Sequence, residues 1–277
     1  MLPVELMKQK ETFPLGSSAA PRIGSVPYLN ALPLVWGIEE AIRYEPPSRL
    51  AGLLRRRAID AALVSVVEAL FTGAYWVLDG VAIGSRGPVQ SVILAHRKPL
   101  EQVEEIFCDT ASLTSFNLLR TLLVQRGLRP RFRPLLDYRR ARELDAVFLI
   151  GDQALRLAWE GTDHRIWDLG QAWHELTGLP FVYAVWAIRP EAATPELCRL
   201  LEKAGRAGRQ RFKEAARRPG PCDAAFRETY LRRHVHYRLG PEEKRGLELF
   251  GEMLQRHGVR PVRPARFVSS ESLVRAS

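Results

Sequence analysis

Apolar runs of strand length alternate along this chain with segments of helical periodicity, and the alternation stops and restarts once. That pattern leaves few architectures open, because strands separated by helices pair largely in parallel and bury both faces under the helices. The first pass holds strand patterns at residues 22–26, 43–46 and 60–66, then an extended stretch at 76–96 broken by "GSRGP" at 84–88. Pro27 ends the first run. Asn30 stands where a cap is wanted, ahead of a helix expected to reach about residue 40 with Pro33 in its first turn. Ser48 is placed to cap the next helix, which ends in three arginines, the favoured sign at a helix C-terminus. The second pass begins with a strand at 106–109 and the polar loop "DTASLTS". A helix follows from Thr114 or Ser115, with strands at 131–135 and 145–151 after it. The last of these, "DAVFLIG", is apolar almost throughout, as a parallel strand buried on both faces should be.

Beyond Pro190 the periodicity is helical, over about 195–218, 223–233 and 241–257, with no strand to pack on. The simplest topology returns this tail to the first unit, with the apolar run at 179–188 as the crossing strand. The expected division is a flexible leader at 1–21, one lobe from 22–104 plus 187–277, and a second lobe from 105–186. Two lobes joined by two crossings enclose a cleft, and such sheets bind ligands beyond the carboxyl ends of their strands.

Composition excludes several classes. A chain of 277 residues can bury roughly 75% of its unfolded surface and needs no staple. Its three cysteines, Cys108, Cys198 and Cys222, form no C-x-x-C pair, so neither a disulfide framework nor a zinc site is indicated and a reducing cytoplasm fits. No apolar run approaches the roughly 18 residues of a membrane span, and the first twenty residues lack a basic segment followed by an apolar one. The net charge is +10, with eight basic and two acidic residues between 199 and 218. A nucleic-acid face and a solvated helix surface both fit that run. With no helix-turn-helix, aromatic RNA platform or zinc finger beside it, the solvated surface is the expectation. The six histidines are dispersed, so no metal is expected. Nucleophile elbow, phosphate loop, dinucleotide and zincin motifs are absent.

Several small polar residues fall at strand ends: Asn30, Ser65, Ser91, then Ser112, Thr114 and Ser115, and Gly151-Asp152. Neutral donors beside a helix N-terminus make a carboxylate cradle, so the expected ligand is a small anion held between the lobes. For Asn30, Thr114 and Ser115 a capping role serves equally well, and Asp152 can simply cap its helix. No acid–base pair stands out; Asp152 and Glu175 are the candidates for a protein base.

Five stretches carry a resemblance when taken in order: "RIGSVPYLNALPL", "GPVQSVIL", "TASLTS", "AVFLIGDQAL" and "DLGQAWHELTGLPFVYAVWA". Over about residues 22–257 the chain resembles the chorismate dehydratases of the futalosine route to menaquinone. The resemblance implies an α/β, two-lobed, type II periplasmic-binding-protein-like fold used as an enzyme. It implies a cofactor-free lyase reaction in the cytoplasm, in which chorismate loses water to give 3-[(1-carboxyvinyl)oxy]benzoate. It places active-site residues at Asn30 and Ser91, with Tyr28, Ser65, Gln90, Ser112, Thr114, Ser115, Gly151 and Asp152 around the substrate. A solute-binding protein for an aromatic or dicarboxylic acid is the alternative from another class. Oligomeric state is not legible.

Overall fold

A computed structural model describes residues 20–259 and 261–276. Nearly all of the expected leader lies outside these residues. The chain opens with β1 (Ile23–Ser25), β2 (Ile42–Tyr44), α1 (Pro47–Arg55), β3 (Ala61–Ser65), α2 (Val66–Thr72) and β4 (Trp76–Ser85). It continues through β5 (Val92–His96), β6 (Glu105–Cys108), α3 (Leu113–Gln125), β7 (Arg131–Pro134), β8 (Ala146–Ile150) and α4 (Gly151–Trp159). Then come β9 (Arg165–Asp168), α5 (Leu169–Thr177) and β10 (Phe181–Ile188). The tail holds α6 (Pro195–Arg209), α7 (Phe212–Ala216), α8 (Ala224–Thr229), a π-helical turn at Tyr230–His234, α9 (Pro241–Arg256), β11 (Arg266–Val268) and α10 (Ser270–Ala276).

Two sheets result. One runs β11-β4-β10-β3-β1-β2 and the other β7-β6-β8-β5-β9. Within the first, β1 pairs in parallel with β2 and β3, while β10 lies antiparallel between β3 and β4. In the second, β6 is parallel to β7 and β8, and β5 is antiparallel to β8 and β9. Sheet membership differs from the expected division at both crossings. Residues 92–96, expected in the first lobe, pair with Ala146–Ile150 in the second sheet. Residues 181–186, expected in the second lobe, belong to the first sheet. The chain therefore crosses in the turn between β4 and β5 and again after α5. Both strands are antiparallel to their neighbours, and their continuous apolar runs carry no mark of which sheet they join.

The second crossing is clamped by aromatic packing. Trp173 of α5, Phe181 of β10 and Phe250 of α9 meet edge to face with ring centroids 4.9–5.9 Å apart. All three are buried, and such pairs contribute about 0.5–1.5 kcal/mol each beyond burial. The basic tail helix α6 turns Leu197, Leu201, Ala204 and Gly208 inward, against the segment Leu29–Leu34. A Cβ on Gly208 would lie 2.0 Å from the Pro33 carbonyl oxygen, so glycine permits that approach.

Asp60, just before β3, ties the start of β1 to the end of β10. Its carboxylate accepts from the Arg22 backbone N–H at 2.8 Å and from Arg189 Nη2 at 2.6 Å. Burial works to raise its pKa, but the hydrogen bonds and charges of Arg22 and Arg189 prevail and hold it at about 2. A folded pKa below the ordinary 3.8 contributes stability that is complete above pH 3.8 and lost as pH falls through about 2. Asp60→Asn is expected to cost on the order of 1–2 kcal/mol at neutral pH. It should also flatten the acid limb of a pH-dependent denaturation series in that window. An unchanged limb would show that Asp60 does not contribute there.

Candidate active site

The first segment past β1 forms the floor. Tyr28 precedes a 3₁₀ turn, Leu29–Leu34, with Asn30 as its second residue and no side-chain cap. The expected α-helix capped by Asn30 is thus replaced by one tight turn. The Leu29 N–H works to lower the pKa of the Asp152 carboxylate, in the other lobe, against the effect of burial. Asn30 sits inside the turn and does not cap it. Its backbone carbonyl accepts from the Tyr237 hydroxyl at 3.0 Å, and its amide oxygen is buried with no hydrogen-bond partner among the described residues. A buried acceptor without a partner costs about 1–3 kcal/mol, which a ligand donor would recover.

Ser91 lies at the far side of the first crossing. Gly151 N–H donates to its carbonyl oxygen at 2.7 Å, and the Tyr230 hydroxyl donates to its Oγ at 2.8 Å. The Asn30 amide works to lower the pKa of that same Tyr230 phenol. The two residues expected to carry the chemistry line one cleft with this phenol. The turn before Ser91 is held by Asp168, whose carboxylate accepts from the N–H groups of Val89 at 3.0 Å, Gln90 at 2.6 Å and Gln171 at 3.0 Å. Gln90 has a left-handed φ of 61°, strained for a side-chain-bearing residue. Burial raises the Asp168 pKa against the pull of these N–H donors.

Tyr28, Asn30, Ser65, Ser91, Ser112, Ser115 and Gly151 line one cleft with Tyr183 and Tyr230; it encloses about 650 Å³, part of it open to solvent. Val26, Leu63, Ile83, Val89 and Ile150 give it apolar walls. Ser112 caps α3, accepting the Ser115 N–H at 3.3 Å. Gly151, at a φ of 56° that favours glycine, opens α4 without a side-chain cap, so the positive end of that helix faces the cleft.

Three of the expected contact residues are placed off the cleft lining. Thr114 does not line the cleft. It is buried, and its hydroxyl makes a short bond to Ser65 Oγ and accepts the Val67 N–H at 3.1 Å, pinning α3 to the first lobe. Gln90 and Asp152 also lie off the lining, the first in the turn held by Asp168 and the second in the first turn of α4. Glu175 sits on the exposed face of α5, bonded by Gln171 Nε2 at 2.7 Å. Among the described residues, no lysine, arginine, histidine or carboxylate lines the cleft.

Two contributors escape the sequence. Asp168 leaves a trace, because "DLGQ" has the spacing of a capping box. Tyr230 leaves none, since "FRETYLRRH" looks like one more helix with an apolar stripe. Its π-helical turn, a rare geometry that marks functional sites, is visible only in three dimensions.

Known proteins share this arrangement. A periplasmic aliphatic sulphonate-binding protein from Escherichia coli superposes with a TM-score of 0.60 over 90% of each chain at 18% identity. A protein from Archaeoglobus fulgidus gives 0.67 over 86% of this chain and 98% of its own at 16% identity. The fold is thus that of the periplasmic binding proteins: two α/β lobes about a ligand cleft. In sequence, the chain is 30% identical to a chorismate dehydratase of Thermus thermophilus, over 84% of this chain and 94% of that one. A family model described as menaquinone biosynthesis matches residues 21–256, which take in the Asn30 turn, both crossings and Tyr230. The chain therefore belongs to the menaquinone biosynthesis family.

Proposed function

We propose that this protein is a chorismate dehydratase, a hydro-lyase that converts chorismate to 3-[(1-carboxyvinyl)oxy]benzoate with Asn30 and Ser91 at its reacting centre. One observation carries this reading beyond family membership: the cleft is lined by neutral hydrogen-bonding groups, and among the described residues no side chain that lines it is able to act as a base at neutral pH. Chorismate brings its own. Its enolpyruvyl carboxylate takes the proton from the ring carbon that bears the ether. The C–H electron pair becomes a ring double bond, and the neighbouring C–O bond releases hydroxide, which takes up a proton to leave as water. The ring becomes aromatic, which supplies the driving force.

The protein's work is then placement and donation. Ser112, Ser115 and the uncapped start of α4 offer hydrogen bonds to carboxylate. Ser91 donates to the departing hydroxyl, and the unpartnered Asn30 amide oxygen accepts its hydrogen, fixing its direction. Holding a flexible dianion in one reactive pose accounts for much of such a rate enhancement.

The absence of a titrating residue in the cleft sets the pH behaviour. Burial raises the pKa of Tyr28, Tyr183 and Tyr230, with the Asp109 and Asp152 carboxylates adding to Tyr28 and Asp168 adding to Tyr183. These phenols keep their protons above the ordinary value of about 10. The kcat/KM for chorismate is therefore expected to be flat between about pH 6 and 9 at constant ionic strength. A limb near pH 6.5 would place a histidine or carboxylate base in the mechanism. The fold is also that of a sulphonate-binding protein, so a binding role is the competing reading. Tight calorimetric binding of chorismate with no loss of its diene absorbance over hours would favour that reading.

A further inference from the structure

We propose that Tyr230 is a positioning residue for this reaction: by donating to Ser91 Oγ it turns the serine's own proton toward the substrate. The inference rests on the dehydratase reading. It starts from geometry that neither the motif nor the family match assigns. Tyr230 is fully buried on the π-helical turn between α8 and α9, 139 residues from Ser91, and its ring lines the cleft.

A serine hydroxyl has one proton and two lone pairs and rotates freely unless something fixes it. Here the backbone of Ser91 is held by the Gly151 N–H, and one lone pair of Oγ is occupied by the phenol at 2.8 Å. The direction toward Tyr230 is then closed to the serine's proton, because the phenol already donates along it. The hydroxyl proton is left to point into the cleft, where the leaving oxygen would sit. The Asn30 amide works to lower the pKa of the same phenol. The phenol's donation polarises the serine hydroxyl and strengthens its O–H as a donor. The orphaned Asn30 amide oxygen stays free for the substrate. A phenylalanine would fill the same space and remove the bond to Ser91.

The test is Tyr230→Phe measured beside wild type, Ser91→Ala and the double variant, with chorismate as substrate. The expected result is a kcat about 10- to 100-fold lower with KM changed less than about threefold. The double variant should be no slower than Ser91→Ala alone, since the phenol acts through that serine. Thermal unfolding within about 5 °C of wild type would show the fold intact. A more damaged Tyr230→Phe would be judged by the cycle alone, because general destabilisation multiplies with Ser91→Ala whereas positioning does not. A wild-type kcat in Tyr230→Phe, or multiplicative losses in the double variant, would overturn the inference and leave the dehydratase reading standing. No turnover by the wild type would bring down both.

Discussion

Asn30→Ala and Ser91→Ala are each expected to lower kcat for chorismate about 100- to 1,000-fold, the usual cost of removing one preorganised hydrogen-bonding group from a reacting centre. The KM should move much less, because in the proposed mechanism the carboxylates are held elsewhere, by Ser112, Ser115 and the start of α4. Neither change should harm the fold. The Asn30 amide oxygen has no hydrogen-bond partner among the described residues, so its removal relieves a desolvation cost. Ser91 is held mainly through its backbone carbonyl, which alanine retains. Steady-state kinetics on the purified variants, with thermal unfolding as control, decide the matter. Rates within about threefold of wild type for either would remove that residue from the reacting centre.

Asp168→Ala is expected to be damaging in a different way. The carboxylate accepts three backbone N–H groups, from Val89, Gln90 and Gln171, at 2.6–3.0 Å. Two of them belong to the crossing turn that aims Ser91 and carries the strained Gln90. Each buried N–H left without an acceptor costs about 1–3 kcal/mol, so a stability loss on the order of 3 kcal/mol or more is expected. With the turn free to relax, kcat should fall at least about tenfold in whatever fraction stays folded. Asp168→Asn keeps one acceptor oxygen and should fall between. Urea denaturation midpoints for the two variants check the order. Wild-type stability in Asp168→Ala would show that the turn holds itself.

Much of this was legible in the residues. The strand at 145–151 announces itself because a strand buried on both faces has to be apolar throughout, and the helices of the tail follow from their periodicity. The cleft residues at strand ends follow from the α/β pattern, and Asn30, Ser65, Ser91, Ser112 and Ser115 do share one cleft. What the residues hide is decided by distant partners. Residues 92–96 look the same whether they extend β4 or join the second sheet; pairing with Ala146–Ile150 settles it. Asn30 has the chemistry of a cap, yet it falls inside the 3₁₀ turn and its amide oxygen is left without a partner among the described residues. Thr114 has the chemistry of a ligand contact, yet its hydroxyl is taken by Ser65 and Val67. Tyr230 comes from the tail, where its sequence context suggests only core packing.

The most direct test is to incubate the purified chain with chorismate deuterated at the ring carbon that bears the ether, and to identify the product by NMR and mass spectrometry. The expected product is lighter by one water, shows a meta-substituted benzoate ring and has lost the deuterium. Chorismate recovered unchanged, or a product that keeps the deuterium, would contradict elimination by this cleft.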